Sequence, residues 1–149
     1  MAVSEAPAVE AMKAIVERIS SADTFCLPVS VDYGEELIDE LEGREIYVSV
    51  ISEEEEQLNE TLDEEDRTNH VIRVWVRRKL DASTNDEIDP LKLLTRQIFQ
   101  RLNQYSTSDN RVQIWECDFD SKEVPNKAIL RQSGLFVASL SLRVEVEAS

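Results

Sequence analysis

The chain is poor in the residues that most catalytic chemistry uses. It holds one histidine, two cysteines and three glycines among 149 residues. Gly34, Gly43 and Gly134 are scattered and read as turn residues, so there is no glycine-rich loop to cradle a phosphate. Cys26 and Cys117 lie in no CxxC pattern and His70 in no HxxxH pattern, which excludes the usual zinc spacings. Two cysteines make no disulfide framework. They read as small buried thiols of a chain that folds in a reducing cytoplasm. A nucleophile–histidine–acid site would have to use His70, which begins a strand instead of sitting on a loop around a pocket. Cys117 follows Trp115 and Glu116, has no basic neighbour to lower its pKa, and reads as packing. "DFDSKE", from Asp118, starts like a calcium loop but lacks the glycine at its sixth position and the glutamate at its twelfth. No secretory signal and no apolar run of membrane-spanning length is present.

Positive charge is also scarce. Sixteen Lys and Arg face 31 Asp and Glu, for a formal charge of −15. That balance favours solubility and opposes DNA or RNA binding, which needs clustered cations to neutralise phosphate. The length suits one domain, in which roughly 68–70% of the unfolded surface can be buried without a covalent staple. Apolar residues make up 42% of the chain and charged residues 32%, a composition compatible with a folded core.

Periodicity divides the chain into seven elements. Residues 4–20 read as a helix with Ser4 as cap, Pro7 in the first turn, and Val9, Met12, Val16 and Ile19 as its apolar stripe. Phe25, Leu27, Val29 and Val31 alternate as a short strand that Pro28 confines to an edge. In residues 44–52, Ile46, Val48 and Val50 oppose Tyr47, Ser49 and Ile51. A strand from about Asn69 to Leu80 follows, with Ile72, Val74 and Val76 on one face and Arg73, Trp75 and Arg77 on the other. These two strands are expected to pair antiparallel.

Asp89 reads as the N-cap and Pro90 as the first residue of a second helix, with Leu91, Leu94, Ile98, Leu102 and Tyr105 as its buried stripe. In "RVQIWECDF", Val112 and Ile114 oppose Gln113, Trp115 and Cys117. The last strand puts Phe136, Ala138, Leu140, Leu142, Val144 and Val146 on one face and Val137, Ser139, Ser141, Arg143, Glu145 and Glu147 on the other. The expected fold is a single α+β domain over residues 1–149. Its mainly antiparallel sheet has four to five strands, with two helices packed on one face.

Two stretches carry opposite charge. Residues 53–66 hold nine acids, Glu53, Glu54, Glu55, Glu56, Glu60, Asp63, Glu64, Glu65 and Asp66, with no glycine or proline. Self-repulsion predicts an extended, mobile loop there, better suited to solvation than to holding a metal. Directly after it, five of the 16 basic residues fall between Arg67 and Lys79. Arg73, Trp75 and Arg77 resemble a platform for single-stranded bases, but the neighbouring acids deny it an electrostatic footprint. A second reading is subunit pairing, with Arg73, Trp75, Arg77, Arg78 and Lys79 as interface candidates that meet an acidic loop on a neighbouring copy. A third is an ordinary wet sheet face with Arg–Glu cross-strand pairs.

Three segments, "LEGREIYVSVIS", "RTNHVIRVWVRRKLDASTNDEIDPLKLLTRQIFQRL" and "GLFVASLSLRVEVEA", together resemble a family of tailed-phage proteins. The family comprises the tail terminators, also called tail completion or head–tail joining proteins. In it a strand like "VSVVP" precedes a polar loop; then come a strand like "YxIxIxVxKK", a turn with "xEIDxLLxLVExI", and a closing strand like "FxSxLxLxY". The likeness spans roughly residues 41 to 146. It departs from the family in the acidity of residues 53–66 and in Glu145, where many members carry an aromatic.

The resemblance implies a non-enzymatic virion protein without cofactors, assembled in the host cytoplasm. Its partners are copies of itself in a ring, commonly a hexamer, together with the tail tube protein and a neck or head-completion protein. The ring ends tube growth at the head-proximal end, and DNA passes through it unbound. Under that reading the loop from Glu53 to Asp66 faces the lumen or an adjoining ring, where carboxylates repel phosphate. An alternative from another class is an acidic DNA mimic that inhibits a host nucleic-acid enzyme. The charge fits that role, but the basic strand does not.

Overall fold

A computed structural model of the chain describes residues 6–34, 46–52, 67–80, 85–119 and 134–147. The elements are α1 (Pro7–Ser20), β1 (Ser30–Tyr33), β2 (Tyr47–Ser52), β3 (Arg67–Lys79), α2 (Asn85–Leu102), β4 (Val112–Phe119) and β5 (Leu135–Glu147). The strands form one sheet in the order β1-β2-β3-β5-β4. Three pairings are antiparallel, including β2 with β3. The short edge strand β1 runs parallel to β2, so the α+β sheet is mixed but mostly antiparallel.

Period-two alternation decides which face of each strand meets the helices. On β3, Ile72, Val74 and Val76 are fully buried. Across the ladder they meet Leu142, Leu140 and Ala138 of β5, and Val50 and Val48 of β2 follow the same phase. Helix residues Ala11, Ile15, Ile19, Leu91, Leu94, Ile98 and Leu102 complete this core. Fully burying an aliphatic or aromatic side chain of this kind contributes about 1.5–3 kcal/mol.

Several expectations are corrected here. The buried row of α1 is Ala11, Ile15 and Ile19, while Val9, Met12 and Val16 are only half-buried at its flanks. An alanine at the contact lets the helix lie close to the sheet, and the bulkier side chains reach in from the sides. The N-cap is Ala6, which makes no side-chain cap bond, and Pro7 fills the first helical position; Ser4 lies outside the described residues. The alternating run from Phe25 to Val31 packs against the core, but only its end forms a strand. Helix α2 starts at Asn85, so Pro90 lies inside it. Asp86 and Glu87 occupy the first turn, where carboxylates favour the helix dipole, and the earlier start buries Ile88. The missing N–H of Pro90 costs α2 a single early bond, toward Asp86.

The two helices are tied at their C-terminal ends. Arg18 Nε donates to the Arg101 carbonyl at 3.0 Å, and Arg101 Nε donates to the Arg18 carbonyl at 3.0 Å. Arg101 Nη2 also donates to Ser21 Oγ at 3.0 Å. The Arg18 guanidinium lies 4.2 Å from the centre of the Tyr105 ring. Last-turn carbonyls lack helical partners and carry the negative end of the dipole, so each arginine satisfies a need of the other helix. A second tie joins α1 to the start of β4, where Arg111 donates to both Glu10 carboxylate oxygens at 2.8 and 2.9 Å.

Candidate functional site

The sheet face opposite the helices carries the candidate residues. Both tryptophans of the chain, Trp75 and Trp115, are on it. Trp75 sits on the central strand β3, between Ser49 of β2 and Ser139 of β5. The Arg73 guanidinium lies 5.8 Å from its ring centre. Arg77 lies flat across the neighbouring strand, with Nη2 donating to Ser49 Oγ at 2.9 Å, and only 7% of it is exposed. Lys79 is exposed at the end of the strand.

Arg78 is not part of this strip. Alternation turns it to the helix face, where its Nη2 stands 3.9 Å from Glu87 Oε2 in the first turn of α2. The acidic run with Glu53, Glu54, Glu55, Glu56, Asp63, Glu64, Glu65 and Asp66 lies outside the described residues.

Directly across the ladders from Arg73 and Arg77 stand Ile51, Ser141, Tyr47 and Val137. An Arg–Glu cross-strand pair on this face joins Arg143 and Glu116, at 3.6 Å and well exposed.

The sequence pattern misses one feature of this face. The pairing of β4 with β5 shifts between Ile114 and Glu116, which is a bulge at Trp115. After the bulge Cys117 turns to the core face with Val112 and Ile114, where 5% of it is exposed. Cys117 is therefore not opposed to them, as simple alternation predicts. Trp115 stays outside with 63% of its surface exposed. It walls a groove of about 300 Å³ that Asn69, His70, Val71, Glu116, Arg143, Val144 and Glu145 also line. The spacing hides it: apolar residues fall at 112, 114, 115, 117 and 119, so Trp115 continues a run of twos with Cys117 and Phe119 and masks the change of phase.

Titratable groups give this face no catalytic constellation. His70 lines the groove, but strand alternation turns its ring to the helix side, with Nε2 2.9 Å from Thr68 Oγ1. Burial, and then the charge of Asp118, pushes the Cys117 thiol up to about 12, so it is no nucleophile near neutrality. Cys26, expected to be buried like Cys117, is exposed instead, and its partial desolvation raises the thiol. Among the described residues no three His, Cys, Asp or Glu side chains gather as a metal site. No described helix is long and apolar enough to cross a membrane. What the face offers is contact chemistry at Trp115, at Arg73 beside the half-buried Trp75, and in the groove; Ser49, Arg77 and Val137 on the same face are already buried within the chain. No known family model matches the chain, and no curated protein sequence matches it either.

Proposed function

We propose that this chain is a structural virion protein of a tailed phage. It assembles into a ring, hexameric by analogy with tail terminators, that closes the head-proximal end of the tail tube and joins it to the neck. The observation that carries this reading is the placement of both tryptophans, with Arg73 beside one of them, on the sheet face that neither helix covers. A lone domain gains little from leaving Trp115 63% exposed and Trp75 half-exposed there, whereas a subunit contact gains its anchors. The charge of −15 suits a ring through which DNA slides without sticking. A DNA mimic would have no use for Arg73 and Arg77 on its central strand.

Native mass spectrometry and sedimentation velocity over a range of concentrations test the proposal. A hexamer, or a concentration-dependent ring, is the expected result, and Trp75→Ala should weaken it. A wild-type chain that stays single at the highest concentration, and is missing from purified virions, refutes it.

A further inference from the structure

The two edges of the sheet are finished differently. At one end β1 is four residues long. Its Tyr33 N–H is taken by the Asp32 carboxylate at 2.8 Å, which blunts that edge. At the other end β4 is only half covered among the described residues. Thr107 N–H donates to the Val112 carbonyl at 3.0 Å, and Ile114 N–H donates to the Tyr105 carbonyl at 2.8 Å. Beyond Ile114 the alternation of antiparallel pairing directs the N–H and C=O groups of Cys117 and Phe119 away from β5. Among the described residues no strand lies on that side.

We infer that this edge receives an extended basic segment of a partner protein as a sixth strand. The side chains that flank the edge define the partner's pattern. On the open face stand Trp115, Glu116 and Asp118, all exposed. On the helix face stands Phe119, stacked on Phe99 with ring centres 5.1 Å apart. A strand laid here places alternate residues on the two faces. Those on the open face fit Lys or Arg, which meet two carboxylates and an indole able to bind a cation over its ring. The residue between them fits an apolar side chain beside Phe119. The exposed Arg143–Glu116 pair opposes this weakly, since it is solvent-screened.

A second copy of this chain is a poor occupant. The β1 edge of a second copy would bring Asp32 directly against Glu116 and Asp118. The same carboxylates that repel a sister edge select a cationic strand. The inference does not depend on ring formation, and a monomeric chain leaves it intact.

The test uses two end-blocked hexapeptides, alternating Lys–Val and alternating Glu–Val, added to the full chain and read by amide exchange and calorimetry. In the free protein the Cys117 and Phe119 amides should exchange fast. The Lys–Val peptide should slow both at least tenfold and bind more weakly as salt rises; the Glu–Val peptide should do neither. Glu116→Lys with Asp118→Lys should reverse the preference, Glu116→Gln with Asp118→Asn should abolish it, and Trp115→Ala should weaken Lys–Val binding about two- to fivefold. The inference falls if Lys–Val leaves those two amides unchanged, if both peptides protect them equally, or if the charge variants bind as the wild type does.

Discussion

Replacing Arg18 and Arg101 by methionine, singly and together, tests how the two helices are held. Methionine keeps most of the aliphatic stem, so the loss reports the guanidinium and not the packing. Arg18 gives up one charge-assisted bond to the Arg101 carbonyl and its place over Tyr105. Arg101 gives up the bond to the Arg18 carbonyl and a second to Ser21 Oγ. A bond to a charged group is worth about 1.5–3 kcal/mol, and these sites are partly exposed, so the lower part of that range applies. With the ring contact or the hydroxyl added, each variant should lose about 2 kcal/mol, which for a chain of this size lowers Tm by about 4–8 °C. Each arginine bonds the carbonyl of the other, so the two belong to one network. A double-mutant cycle measured by urea unfolding should therefore show a coupling of about 0.5–3 kcal/mol. A single loss below about 0.5 kcal/mol, or losses that add without coupling, would refute the crossed arrangement.

Three further outcomes follow from the same structure. Phe136 is fully buried where β5 crosses the core, so Phe136→Ala should cost about 3–5 kcal/mol in urea unfolding; a loss under about 1 kcal/mol would show that the site is not packed as described. Gly134 has φ +67° and open space where a β-carbon would sit, so Gly134→Ala should cost about 1–2 kcal/mol from backbone strain alone, and a neutral result in the same assay would contradict that conformation. Cys117 is neutral when folded, with its thiol raised from 9.0 to about 12. Its contribution to stability is full below pH 9 and is lost as pH climbs from 9 toward 12. Cys117→Ala should accordingly flatten the fall of Tm across that window, and an unchanged slope would mean that the thiol is not buried.

The parts of the fold legible in the sequence are those where one rule acts alone. In β2, β3 and β5 the apolar phase runs through the strand, and Val48, Val74 and Leu140 are buried as it requires, although Ser49, Arg77 and Val137 on the opposite face are buried too. Reading failed where a second effect overrode the first. In α1 bulk pointed to Val9, Met12 and Val16, but close approach to the sheet favours small Ala11 at the contact. In α2 the preference of proline for a first turn marked Pro90, while the acids of the preceding turn and the burial of Ile88 carried the helix back to Asn85. In β4 a single bulge reversed the phase, sending Cys117 inward. Of the candidate site, Arg73 and Trp75 were legible because they share a strand. The Trp115 groove was not, because Asn69, Arg143 and Trp115 are brought together only by the order of the strands. Adjacent Arg77 and Arg78 look alike as cations in the sequence, yet strand alternation alone puts them on opposite faces.

The two proposed contacts respond to salt with opposite sign, and this separates them on one molecule. Ring formation brings together copies that each carry −15, and repulsion among them is long-ranged at low ionic strength. The Debye length falls from about 30 Å at 0.01 M to about 10 Å at 0.1 M, so added salt removes repulsion faster than it weakens the close contacts of Trp75. Self-association should therefore strengthen over that range. A basic strand on the β4 edge is held partly by attraction to Glu116 and Asp118, and the same salt should loosen it. Titrating salt against oligomer mass and against Lys–Val binding in one series of samples should give curves that cross. Parallel curves would mean that net charge does not govern self-association, and the carboxylates would then have to be weighed one by one.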